Sequence, residues 1–227
     1  YALQNYDKNK PIVYIRFSSD SARIDTTDLF TIKAYLNGDK SGYVVRDSAG
    51  PAITKNVRGI NNLKGHLACG DQHAIALKVG GEVWSWGNNG SGQLGDNSSN
   101  QSSVPLRVKG LNNIGFLTDA VAVAAGANHS LAILCDGSVA AWGNNNSGQL
   151  GDGSYAESHV PIDITAQIGI ELTDYITKIE VGYYHTSAYT NDNRFFVWGS
   201  NITAQLGNDS YIDVPLPTEI TASFSLQ

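Results

Sequence analysis

The string Trp86-Gly87-Asn88-Asn89-Gly90-Ser91-Gly92-Gln93-Leu94-Gly95-Asp96 returns as Trp142-Gly143-Asn144-Asn145-Asn146-Ser147-Gly148-Gln149-Leu150-Gly151-Asp152. A worn third copy is Trp198-Gly199-Ser200-Asn201-Ile202-Thr203-Ala204-Gln205-Leu206-Gly207-Asn208, and both spacings are 56 residues. A fixed period of this size marks a repeat architecture. Each repeat is one supersecondary unit that cannot bury its apolar face alone and must stack on its neighbours.

Around the string other positions keep the same period. Each unit opens with an apolar strand ending in Gly, at residues 67–70, 121–126 and 179–182, and a His follows three residues later: His73, His129, His185. Second strands are expected at 74–78, 130–134 and 186–190, then a turn at Gly80-Gly81, Asp136-Gly137 and residues 191–193. The third strand ends at Trp-Gly. A polar loop leads to a Pro and a fourth strand at 105–109, at 161–165, and from Pro215 or Pro217 to Thr221. Val214-Pro215 supports one register there, and the period selects Pro217. No stretch keeps a 3.6-residue apolar period over three turns. Four short strands per unit, separated by turns, is the pattern of a propeller blade. The connectors carry Ile114, Phe116, Leu117, Ile168, Ile170 and Leu172, which are expected to pack on the sheets.

Residues 1–56 lack these signatures but read as β, with candidate strands at 11–17, 29–36, 42–46 and 52–57. Asn37-Gly38-Asp39 is read as a hairpin turn between two of them, because Asn and Gly tolerate positive φ. Two readings stand. Val57-Arg58-Gly59-Ile60-Asn61-Asn62 echoes Val108-Lys109-Gly110-Leu111-Asn112-Asn113, so residues 1–56 form a degenerate first blade; or they end a separate β domain. Residues 57–227 are the three tandem repeats. The chain starts at Tyr1 and contains no Met, which reads as a fragment or a processed product.

These motifs resemble the regulator-of-chromosome-condensation repeat family, whose pattern is Gly-x-x-His, an apolar strand, Trp-Gly, Gly-Gln-Leu-Gly and a Pro. Residues 57–221 match it three times. Ala204 departs from it, replacing the first Gly of Gly-Gln-Leu-Gly. The resemblance implies a seven-bladed propeller of four-stranded blades. The expected fold is therefore an all-β, propeller-type array of antiparallel blades, incomplete relative to that ring. Unclosed arrays expose sheet faces and edges, so further blades or self-association are expected partners of those faces. Asn- and Ser-rich, lysine-poor loops resemble those of bacterial members.

His73, His129 and His185 sit one per blade, whereas zinc ligands must converge within about 2.0–2.3 Å of one ion. Each is read as bracing its turn by bonding backbone beside its Gly. His66 and His159 lie off this register and are read as surface residues. Trp86, Trp142 and Trp198 are read as blade-to-blade core, with Trp84 on the same strand face as Trp86. Gln93, Gln149 and Gln205 are read as fixing their turns. Cys69 and Cys135 are read as buried free thiols. Asp96, Asp152 and Asp209 lack a calcium loop's ligand pattern ending in Glu. The Gly-rich runs lack a Gly-Lys-Ser/Thr ending. No nucleophile elbow, metalloprotease motif or paired catalytic carboxylates stand out. No enzyme activity, metal or cofactor is expected.

The functional signal lies in what varies on a constant frame. Tyr155 and Tyr211 share one register in the loop after Gln-Leu-Gly, where the first repeat has Ser99, and Tyr183-Tyr184 replaces Ala127-Asn128. Tyrosine offers contact area with a polar tip. Tyr155, Tyr183, Tyr184 and Tyr211 are the candidate partner-binding residues. The expected function is a non-enzymatic binding module for a protein or surface ligand, in an extracellular or cell-surface setting. One alternative, implied by the resemblance, is guanine-nucleotide exchange on a small GTPase. The founding member does this with a β-wedge, and the equal periods here leave no room for such an insertion between hallmarks. A structural repeat of a cell-surface or virion fibre is the other. A net charge of −6 argues against a nucleic-acid surface, which needs clustered Lys and Arg. No apolar run is long enough for a membrane span.

Overall fold

The computed structural model describes residues 66–170 and 174–221, together with the backbone of four short strands nearer the N-terminus. Those four are β1 (Ile24–Asp28), β2 (Thr31–Ala34), β3 (Tyr43–Val45) and β4 (Ile53–Lys55), paired antiparallel as β1-β2 and β3-β4. The Asn37-Gly38-Asp39 turn lies outside the described residues. The rest of residues 1–65 lies outside the described residues, and with it the choice between a degenerate blade and a separate domain.

Three four-stranded antiparallel sheets follow. Blade one is β5 (His66–Cys69), β6 (His73–Leu77), β7 (Val83–Gly87) and β8 (Ser102–Arg107). Blade two is β9 (Ala120–Ala125), β10 (His129–Leu134), β11 (Val139–Gly143) and β12 (Ser158–Asp163). Blade three is β13 (Ile176–Val181), β14 (His185–Thr190), β15 (Phe195–Gly199) and β16 (Val214–Glu219). Cross-strand partners repeat at the period: His73 opposes Gly87, His129 opposes Gly143 and His185 opposes Gly199. Fourth strands begin at Ser102, Ser158 and Val214, so Pro217 is the counterpart of Pro105 and Pro161, and Pro215 takes the place of His159. Proline is tolerated there because β8, β12 and β16 are the outer edges of their sheets. Among the described residues the α-helical content is one turn, α1 (Thr165–Ile168). Among the described residues no helix is long and apolar enough to cross a membrane.

Alternation along each strand sends neighbouring residues to opposite faces. Call the face toward the next blade downstream and the other upstream. Ile75, Leu77 and Val83 of blade one pack on Ala132, Ala140 and Trp142 of blade two. Leu131, Ile133 and Val139 of blade two pack on Ala188, Phe196 and Trp198 of blade three. These two joints are the core. Every residue of β11 is buried because blade two has a neighbour on each face.

Three expectations need correction. Trp142 and Trp198 are fully buried, but Trp86 is only partly so. Trp86 does share its face with Trp84, yet that is blade one's upstream face, which no described blade covers. Cys69 is exposed and Cys135 buried; β5 carries the thiol at the rim of the first described sheet. In the connectors Leu117 and Ile168 are buried as expected, whereas Ile114 is 78% exposed and Phe116 46% exposed beneath Arg107.

Candidate functional site at the loop end of the blades

The turn between first and second strands and the loop between third and fourth strands lie at the same end of each blade. Backbone bonds tie them: Asn88 N–H donates to Gln72, Asn144 to Asn128 and Ser200 to Tyr184. The loops are built from their own polar side chains. Gln93 Oε1 accepts from Ser91 N–H at 2.9 Å, Gln149 from Ser147 and Gln205 from Thr203, which is the turn-fixing role expected of the three glutamines.

Sequence reasoning missed a second brace. Asn89, Asn145 and Asn201 are fully buried. Each accepts from the Leu N–H five residues on and donates to a side chain seven residues on. That acceptor is Asp96, Asp152 or Asn208. Asn208, not Asp209, is thus the third repeat counterpart, and the two aspartates hold their loops shut. The signal was present as the constant Asn in Trp-Gly-x-Asn.

His73 and His129 work between blades rather than within a turn. His73 Nε2 meets Ser130 Oγ of blade two at 2.9 Å, and His129 Nε2 meets Thr186 Oγ1 of blade three at 3.2 Å. Each hydroxyl donates its single proton to a main-chain carbonyl, Ser130 to Gln93 and Thr186 to Gln149. The hydroxyl must then accept from the imidazole, which assigns the Nε2–H tautomer. Trp142 and Trp198 indole N–H groups donate to the same two carbonyls at 2.9 Å. Burial pulls His73 down to about 4. Burial pulls His129 down to about 3, with help from the neighbouring His73 and His185. Both rings are neutral at pH 7. Each imidazole also lies on its glycine, since a Cβ on Gly70 would sit 2.4 Å from His73 Cε1.

His66 is exposed as expected. His159 is part-buried, because it lies over Gly92 of blade one and pairs with Glu157 at 3.0 Å. Among the described residues no group of three His, Cys, Asp or Glu side chains is gathered for a metal.

All four candidate tyrosines lie at the loop end and are exposed: Tyr155 52%, Tyr183 56%, Tyr184 39% and Tyr211 72%. Tyr183 and Tyr184 stand edge to face with centroids 4.6 Å apart. The Tyr183 hydroxyl reaches Asp71 Oδ2 of blade one at 3.4 Å, passing over blade two, and the Asp71 charge raises its pKa. Tyr155 and Tyr211 sit one blade apart in equivalent loops. In blade one an open depression at this end is lined by Asn88, Asn89, Gly90, Ser99, Asn100 and Gln101. Positions 90, 99 and 100 correspond in blade three to Ile202, Tyr211 and Ile212, which are 73%, 72% and 75% exposed. The loop end thus turns from polar to apolar along the array. The two isoleucines were not singled out from the sequence, although they break the Asn/Gly/Ser character of their loops.

Stacked four-stranded sheets joined by His–hydroxyl–carbonyl links define a propeller-type repeat array. Residues 80–133 and 136–189 match the Regulator of chromosome condensation (RCC1) repeat. A second model of that repeat matches residues 66–93, 120–149 and 176–203. The chain belongs to this repeat family.

It is 34% identical over 169 residues to the Ultraviolet-B receptor UVR8 of Arabidopsis thaliana, covering 72% of this chain and 37% of the receptor. It is 34% identical over 165 residues to the human X-linked retinitis pigmentosa GTPase regulator, covering 71% of this chain and 15% of the regulator. The chain thus spans well under half the length of these relatives. Among solved structures it resembles human WBSCR16, with a TM-score of 0.60 at 26% identity, over 74% of this chain and 42% of that one. Yeast RCC1 (Prp20) in complex with Kap60 gives 0.57 at 22% identity, over 74% and 39%, and shows the shared fold. Plant, human and yeast relatives give no support to the bacterial character read from the loops.

Proposed function

We propose that this chain is a binding module that recognises a protein partner through the loop end of blades two and three. The observation that carries the reading is the exposure of Tyr155, Tyr183, Tyr184 and Tyr211 on a frame whose other repeated side chains are engaged in holding the blades. Ile202 and Ile212 extend the same surface. Rigid scaffolds carry recognition on their loops. Exposed aromatics clustered on such loops are where a few residues supply most of the binding energy. The relatives' names span a light receptor and a GTPase regulator, which fits a shared recognition frame better than one shared reaction.

The test is a Tyr155→Ala, Tyr211→Ala double variant. It keeps the wild-type melting temperature, because both side chains are more than half exposed, and it no longer retains the partner captured by wild-type protein from its native source. Equal capture by both proteins refutes the surface. A second reading, regulation of a small GTPase, draws on the human relative named as a GTPase regulator. Its test is nucleotide release from a small GTPase, measured with and without the chain.

A further inference from the structure

Blade three carries an apolar patch at positions that stay open when another blade is stacked alongside. Ile202, Tyr211 and Ile212 are exposed. So are their counterparts Gly90, Ser99 and Asn100 in blade one and Asn146, Tyr155 and Ala156 in blade two, although each of those blades has the next one packed on it. Exposure here belongs to the loop end itself and does not depend on what lies beyond blade three. Backbone bonds gather the patch. Asn201 N–H donates to Asp213 Oδ1 at 2.7 Å, which brings residues 201–202 against 212–213. The Asn201 side-chain amide donates to the Ser210 carbonyl at 2.9 Å, which draws Tyr211 to the same place. Gly153 N–H donates to the Pro215 carbonyl at 3.0 Å, which lays blade two's loop, with Tyr155, against the start of β16. None of these four side chains belongs to either buried core.

The charge around the patch has one sign. Among the described residues the loops at this end carry Asp71, Asp96, Asp152, Glu157, Asp209 and Asp213, and neither Lys nor Arg. The described Lys and Arg residues, Lys78, Arg107, Lys109, Lys178 and Arg194, lie toward the opposite end. Carboxylates meet them there: Glu82 takes Lys78 and Arg107, Glu180 takes Lys178, and Asp174 and Asp192 take Arg194. At the loop end the ion pair among the described residues is Glu157 with His159. Asp96, Asp152 and Asp213 are engaged in bonds that close their own loops. Asp209, two residues before Tyr211, is exposed.

We propose, on the binding-module reading above, that this patch receives a basic segment of a protein partner, one that presents Arg or Lys beside an apolar residue. An apolar centre within a polar rim is the anatomy of a protein interface. Ile202 and Ile212 offer the apolar contact. Guanidinium groups stack on tyrosine faces and pair with carboxylates, so Tyr155, Tyr211 and Asp209 suit the charged side chains between. An end rich in carboxylates and empty of Lys and Arg draws a basic partner and repels an acidic one.

The probes are two labelled peptides, one of alternating Arg and Leu and one of alternating Glu and Leu, titrated with the full chain and read by fluorescence anisotropy. The Arg-Leu peptide binds at least about tenfold more tightly than the Glu-Leu peptide. Ile202→Ser/Ile212→Ser leaves the net charge at −6 and weakens the Arg-Leu peptide at least about fivefold. Asp209→Asn suits the φ of +56° at that position and weakens it at least about twofold, while Glu219→Gln at the opposite end does not. No measurable binding of the Arg-Leu peptide, or binding that both loop-end variants leave unchanged, overturns the inference. Equal affinities for the two peptides that fall together in the isoleucine variant overturn the basic partner and leave the recognition surface standing. The two loop-end variants change different residues, so either decides if the other fails to fold.

Discussion

Acid should loosen the joints between blades, and the histidines set where. His73 and His129 are neutral in the fold, with pKa values lowered from 6.5 to about 4 and about 3. The unfolded chain binds their protons near pH 6.5 and the folded chain does not. Their contribution is therefore complete above pH 6.5 and is lost as pH falls toward 4. Each lowered histidine adds a slope of about 1.4 kcal/mol per pH unit in that window. The shift at His73 amounts to roughly 3 kcal/mol over the whole of it. The two losses are not additive, because part of the His129 shift is repulsion from His73. Protonated His129 would also bury an Nδ1–H that has no hydrogen-bond partner. The assay is urea unfolding followed by tryptophan fluorescence from pH 7 to 4.5, on wild type and on His73→Gln/His129→Gln. Glutamine keeps an N–H for the Ser130 and Thr186 hydroxyls but does not titrate. Carboxylates titrate in both proteins, so the difference between the two curves isolates the imidazoles. The variant is less stable at pH 7, and its disadvantage shrinks as pH falls below 6.5. Parallel curves across that range refute the neutral, joint-holding assignment.

The partial exposure of Trp86 gives a second comparison. Trp142→Ala costs about 3–5 kcal/mol, the range for a large buried aromatic, and Trp86→Ala costs at least about 1 kcal/mol less; equal losses in urea unfolding would mean that blade one's upstream face is as closely covered as the internal joints. Gly148→Ala, at φ +76° with Pro215 Cα 2.4 Å from the new Cβ, lowers the melting temperature well beyond Gly207→Ala. Gly207 shares the positive φ but has open space around it, so it loses only the roughly 1 kcal/mol of backbone strain. Similar thermal shifts for the two would show that strain, not the close approach of blades, fixes the glycine.

The period of 56 residues determined the fold class, because four short strands that recur with the same Gly, His, Trp and Gln leave a stacked blade as the arrangement that buries every apolar face. The turn-fixing glutamines and the burial of Trp142 and Trp198 were legible for the same reason. Local rules act within one blade, and the sequence prints them three times. What sequence could not supply was which neighbour each residue meets. His73 reads as a turn residue until Ser130 of the next blade arrives at its Nε2. Trp86 reads as the equal of Trp142 until one face is found without a described neighbour. Cys69 reads as a strand thiol until its strand proves to be the rim of a sheet. Ile202 and Ile212 read as loop residues until the repeat sets them beside Tyr211. Contacts between blades join residues about one period apart, as His73 with Ser130 and His129 with Thr186, and depend on the approach of whole sheets, which no local pattern encodes.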